Sequence, residues 1–259
     1  MSELIQQQIK DFLPQESLVF LLCFLCIKFI IKKMRFKYYA INIENIKKSA
    51  AISLVFAIFC GTILNPVIVQ IICRFNIIIG SMSTIFVYAV IFIIEVFPVI
   101  LAIKFNRENL YSIGITGKNF LKSISIAFIS YSMYFVFAIM IRHKFDYINI
   151  DYSFLNLWMF IYFIIVGLTE EIIFRGYVQT RLIKCIGISR GVVITAFIFC
   201  FSHIPQRMIC ANFNFTNALA SSIILLPTAL FLGYLFFKTR NIITSTIFHA
   251  LFNFLVNVI

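Results

Sequence analysis

The run GLTEEIIFRG, residues 167–176, sets two adjacent carboxylates, Glu170 and Glu171, and the guanidinium of Arg175 in otherwise apolar sequence. A charge in the hydrocarbon core costs at least ~2.5 kcal/mol on insertion scales, so each such group is a functional hypothesis by default. Neighbouring side chains on a helix point about 100° apart, so the two glutamates cannot face one cavity equally. Glu171 and Arg175 stand at i, i+4 and can pair on one face, each neutralising the other. That pairing leaves Glu170 to face a polar cavity.

Two further stretches carry groups that could complement it. In FCFSH, His203 lies where a helix approaches Pro205, and in HALFN, His249 and Asn253 stand one turn apart on one helix face. One carboxylate and two imidazoles suffice either to bind zinc or to bind and deprotonate a water directly, with Glu170 as general base. Asn253 can donate hydrogen bonds to a developing oxyanion, with His249 beside it. Each motif alone has a structural reading: an ion-pair lock between helices for Glu170, Glu171 and Arg175, an interhelical hydrogen bond for His203. Their conjunction points to hydrolysis. Glu95, in IIEVFP, has no partner motif and reads as a structural or helix-end residue near Pro98.

The elements that must position these groups are membrane helices. The 259 residues are 62% hydrophobic and 12% charged, with a mean hydropathy of +1.00, outside the range of a soluble domain. A helix needs about 20 apolar residues to cross the bilayer, and about eight segments are candidates on that ground: 17–31, 50–73, 77–103, 124–141, 154–174, 191–203 with its continuation, 219–237 and 242–259. The expectation is an all-α, polytopic helical bundle with its active site in a cavity between C-terminal helices. The first segment is short and interrupted by Lys28; because the N-terminus is polar and no small-residue cleavage site follows, it is expected to remain as an anchor. There is no linker, low-complexity tract or internal repeat, which implies a single membrane domain over 1–259.

The net charge of +12 raises nucleic acid as a partner. With the N-terminus outside, however, most basic residues fall in cytoplasmic loops, among them the loop over 175–190 with Arg175, Arg181, Lys184 and Arg190. The outer side holds Lys10, Arg74, Arg142, Lys144 and Arg207. This is the positive-inside pattern, explained by topology and anionic lipid, with no nucleic acid required. Of the ten acidic residues, only Glu95, Glu170 and Glu171 fall within expected spans, and His143 falls in a loop. The seven cysteines, the pair Cys23 and Cys26 included, read as apolar packing residues. Asn214-Phe-Thr216 matches a glycosylation acceptor, meaningful only in a eukaryotic secretory setting.

Together, the three motifs resemble those of the CPBP family of intramembrane proteases, which includes the CAAX prenyl endopeptidases and bacterial relatives linked to bacteriocin processing or self-immunity. Glu170, Glu171 and Arg175 match EExxxR, Phe199 and His203 match FxxxH, and His249 and Asn253 match HxxxN. The run GYLFFKTRNIITSTIFHALFN is also similar to the family. The resemblance covers roughly 155–259, implying variable N-terminal spans over 1–153 and a catalytic core over 154–259. It implies that Glu170 activates the attacking water with His203. His249 and Asn253 would stabilise the oxyanion or share in water or metal binding, with Glu171 and Arg175 in support. The family leaves two options for cofactor: none obligatory, or a divalent metal such as zinc held by Glu170, His203 and His249.

The expected function is therefore an intramembrane endopeptidase acting on a membrane-associated or secreted peptide. Composition rich in Ile, Phe, Lys and Asn suggests a bacterial plasma membrane, where a bacteriocin or pheromone precursor is a more fitting substrate than a prenylated protein. The alternatives are a non-catalytic immunity or binding protein and a transporter using the buried carboxylate. Many transporters show duplicated halves, and here the polar motifs lie only in the second half.

Overall fold

A computed structural model describes residues 8–38, 41–75, 81–143 and 156–256. Among these residues, all regular structure is helical. In chain order, α1 spans Leu13–Met34, and α2, Ile46–Phe59, runs through a π turn at Cys60–Leu64 into α3, Asn65–Arg74. Next come α4 at Met82–Phe105 and α5 at Phe120–Ala138. Then α6, Leu157–Glu170, passes through a π-helical stretch, Glu171–Gln179, into α7, Thr180–Ile186. The rest is α8 at Ile188–Ser202, α9 at Ile204–Cys210, α10 at Phe215–Ile223, α11 at Leu226–Thr239 and α12 at Ile242–Val256.

Among the described residues, five helical stretches are long and apolar enough to cross a membrane: Ile46–Ile72, Met82–Phe105, Phe120–Ile141, Leu157–Ile186 and Ile188–Cys210. A sixth results if α10 and α11, bent by 43°, count as one span. Many large apolar side chains, such as Leu25, Phe29, Val55 and Phe86, point outward, as a surface solvated by lipid allows. The chain is a multi-pass integral membrane protein. The expected segments missing from this set are 17–31, inside α1, where Glu16, Lys28, Lys32 and Lys33 lower the apolar content, and 242–259, whose described helix is short. The connector over 142–153 lies largely outside the described residues, as do 1–7, 77–80, 154–155 and 257–259.

Two expectations are corrected. The loop over 175–190 is helix as far as Ile186, and Arg175 and Arg181 are fully buried. They stay there because each meets a carboxylate: Glu171 at 3.5 Å for Arg175, and Glu108 at 2.6 Å for Arg181. The span 219–237 is broken, because Pro227, in the first turn of α11, removes a backbone donor where the chain bends. Gly187, at φ 91°, separates α7 from α8 in a conformation that favours glycine.

Two packed regions hold the bundle. In one, Ile172, Phe174, Tyr177 and Val178 of the π-helical stretch are enclosed by residues of α2, α4, α8 and α11. Every residue from Glu171 to Ile183 is buried, so this stretch is the axis around which the other helices stand. In the second, Phe20 and Ile27 of α1 pack with Ile126 and Tyr134 of α5, Phe231 of α11 and Phe248 of α12. Buried Asn241 fixes the start of α12: its side chain donates to the Thr116 and Lys118 carbonyls at 3.1 and 3.0 Å and accepts from the Ile243 N–H at 3.0 Å. The register of α12 then determines where His249 points.

Candidate active site

Glu170 is the last residue of α6 and Glu171 the first of the π-helical stretch. Single π turns are frequent at functional sites, and the wider register here changes which side chains share a face. Gly167 packs against α12, where even a Cβ would lie in ordinary contact, 3.6 Å from the Thr246 oxygen and the Ala250 nitrogen. His249 is thereby brought against both glutamates. Its Nδ1 is 3.0 Å from Glu171 Oε1, and its Nε2 is 3.7 Å from Glu170 Oε2.

His203 approaches from α8. It is the junction residue between α8 and α9, and its Nε2 lies 3.9 Å from Glu170 Oε1. Its Nδ1 is 2.8 Å from the Phe199 carbonyl, which also accepts from the Ser202 hydroxyl at 2.7 Å. A carbonyl only accepts, so Nδ1 carries the proton and Nε2 turns its lone pair toward Glu170. By the same reasoning His249 gives its Nδ1–H to the Glu171 carboxylate. The Glu170 side chain is 20% exposed, whereas Glu171 and Arg175 are at 0%, so of the two carboxylates Glu170 is the one open to a reactant.

Arg175 closes the set from below. Besides Glu171 it donates to the Ala229 carbonyl at 3.4 Å, and its guanidinium stacks 4.3 Å from the centre of the Phe199 ring. Phe199 meets Phe174 edge-on at 5.1 Å and lies 4.7 Å from the His203 ring. The aromatic of the FxxxH motif is therefore a packing plate between Arg175 and His203. Asn253 follows His249 by one turn of α12 and is partly buried.

The structure thus joins Glu170, Glu171, Arg175, His203 and His249 in one continuous set of contacts. In the matching region, residues 152–255 fit the family model described as Rce1-like: Type II CAAX prenyl endopeptidase Rce1-like. This part of the chain is an Rce1-like domain. Comparison with curated proteins and with solved structures gave no match. The family is one of CAAX-type intramembrane endopeptidases, in agreement with the resemblance carried by the three motifs.

Within the Rce1-like domain the donor set, one carboxylate and two imidazole nitrogens, is of a zinc-binding kind. Its geometry is not: among the described residues, no three His, Cys, Asp or Glu side chains are arranged to hold a metal ion.

Several polar groups near this site were not legible from the motifs. A cavity of about 70 Å³ beside Glu170 is lined by Glu95, Tyr88, Tyr162, Asn65, Thr169 and Gln206. Glu95 is thus a buried wall of that cavity, well inside α4 and not at its end. Glu16 is also buried, accepting from the Tyr134 hydroxyl at 3.1 Å, and the side chain of Glu108, 1% exposed, pairs with Arg181. Asn214, the acceptor of the glycosylation motif, instead caps α10 by accepting from the Asn217 N–H at 2.9 Å. Cys23 is a buried apolar packing residue, and Cys26 is partly buried.

Proposed function

We propose that the chain is an intramembrane endopeptidase that hydrolyses a peptide bond by glutamate-activated attack of water. The observation that carries the reading is the Glu170 carboxylate, partly exposed, with an imidazole Nε2 at 3.9 Å from one oxygen and another at 3.7 Å from the other. A water lying between Glu170 and His203 passes its proton to Glu170 as its oxygen attacks the scissile carbonyl. Asn253 and His249 then face the oxyanion. With Nδ1–H committed to Glu171, His249 donates from Nε2 only as an imidazolium. In that form Glu170, Glu171, Arg175 and His249 sum to zero charge, a balance suited to low dielectric. Collapse of the intermediate breaks the C–N bond, and the proton held by Glu170 passes to the departing amine.

On this reading the two remaining apolar helices, α1 and α12, cross as well, giving eight spans with the N-terminus outside in a bacterial plasma membrane. Residues 154–259 form the catalytic core, and the spans over 1–153 wall it. The substrate is a membrane-associated or secreted peptide of the bacteriocin or pheromone-precursor class, bound in extended form between the helices.

The test is cleavage of co-expressed candidate secreted peptides by wild type, Glu170→Gln and His203→Ala. Both variants should insert and melt as wild type does while losing cleavage. If purified Glu170→Gln cuts as fast as wild type, the mechanism is wrong. A wild-type protein that captures the peptide without cutting it would establish a binding or immunity role instead.

A further inference from the structure

The cavity beside Glu170 has a second carboxyl in its wall. Glu95, on α4, is 4% exposed, lines the same space as Glu170, and its Oε1 has no hydrogen-bond partner among the described residues. An unpartnered buried carboxyl oxygen is costly, and the usual remedy is an ordered water with several polar partners. The space fits one: about 70 Å³ is several times the roughly 10–15 Å³ that a single water demands. Its walls also supply both kinds of hydrogen-bonding group. Tyr162 donates to the Tyr88 hydroxyl at 3.4 Å, which leaves the Tyr88 O–H to point elsewhere. Thr169 gives its proton to the Ile165 carbonyl at 2.8 Å and keeps lone pairs. Asn65 and Gln206 bring amides, and Gln206 is itself exposed.

Hydrolysis consumes one water per turnover, and hydrocarbon supplies none. Glu170 is shared between the histidine cluster and this cavity, so water held in it stands next to the base. We infer that the Glu95 cavity is the water store of the reaction: Glu95, with Tyr88, Tyr162 and Gln206, holds water against Glu170 and replaces the one consumed. Glu95 is a positioning residue, acting on the reaction through that water. The inference rests on the proteolytic reading for its role in turnover, but not for the presence of the water.

The experiment joins two measurements on the full-length protein in lipid: peptide cleavage, and hydroxyl-radical footprinting, which labels side chains beside bound water. Tyr88 and Tyr162 should be labelled in wild type although they lie within spans. Glu95→Leu fills the wall with an apolar group; kcat should fall about 10-fold with KM within about 2-fold, and labelling of both tyrosines should fall in parallel. Glu95→Gln keeps the hydrogen bonding and should stay within about 3-fold of wild type in both readouts. Gln206→Leu, from a different helix and an exposed position, should reproduce the Glu95→Leu pattern and carries the same test if Glu95→Leu does not fold. Undiminished kcat and labelling in these leucine variants overturns the water store while leaving Glu170-dependent cleavage intact. If wild type cuts no peptide, the proteolytic reading fails separately, and labelling that Glu95→Leu abolishes would still establish the water site.

Discussion

Nδ1 of His249 lies 3.0 Å from Oε1 of Glu171, and the opposite nitrogen of the same ring faces Glu170. The two neighbouring glutamates thus bracket one imidazole. Glu171, fully buried, fixes its tautomer and ring plane as a carboxylate behind a catalytic histidine does. Arg175 balances Glu171 from the other side. The i, i+4 pair is more than an isolated brace, because through His249 it is joined to Glu170.

Glu171→Gln should therefore lower kcat by about 10²-fold, since a neutral amide no longer imposes the Nδ1–H tautomer. It should also destabilise the protein by roughly 3–5 kcal/mol, because Arg175 is left as a buried unpaired charge. The double variant Glu171→Gln with Arg175→Met should recover much of the melting temperature and none of the activity. Recovery of both would show that Glu171 serves the fold alone.

Chelation distinguishes the two cofactor options. On the proposed mechanism, in which Glu170 itself takes the proton from water, cleavage by the purified protein should be unchanged after prolonged dialysis against a strong chelator, and metal analysis should find less than one equivalent. Loss of activity on chelation, restored by zinc, would require Glu170, His203 and His249 to close around an ion.

Gly61 sets the position of His203 from outside the motifs. A Cβ at Gly61 would come 2.8 Å from Ser202 Cα, and closer still to its Cβ, so the π turn after α2 rests directly on the residue preceding His203. Gly61→Ala should push α8 away, costing about 1–3 kcal/mol as overpacking does. It should lower kcat more than it raises KM, because the displaced group belongs to the reaction and not to substrate binding. A variant that is destabilised but turns over normally would detach this contact from the site.

Which residues meet at the candidate site was more legible in the sequence than what surrounds them, for a physical reason. The spacing of Glu171 and Arg175 is local, so helical geometry alone pairs them, and an ion pair of that kind needs no knowledge of the fold. The contact between His249 and Glu171 spans 78 positions and depends on where the π-helical stretch begins and how Asn241 starts α12. Neither leaves a periodic signal. Arg181 reads as a loop cation because basic residues next to apolar runs ordinarily are. It is buried because Glu108, which lies in a polar connector, folds back onto it. Glu95 looks solitary in sequence because its neighbours in the cavity come from four separate helices.

The Arg181 and Glu108 pair supplies the last expectation, a control for the others. Arg181 also donates to Ser49 Oγ at 3.1 Å and to the Tyr177 carbonyl at 3.1 Å, tying α7 to α2 and to the turn after α4. None of these groups touches Glu170, His203 or His249. Glu108→Gln strands a buried guanidinium and should cost about 3–5 kcal/mol of stability. Turnover per folded molecule should stay within about 2-fold of wild type, with KM unaltered. Thermal unfolding in lipid, measured beside cleavage normalised to folded protein, separates the two effects. A loss of specific activity at a temperature where the variant remains folded would mean that this ion pair is coupled to the catalytic helices.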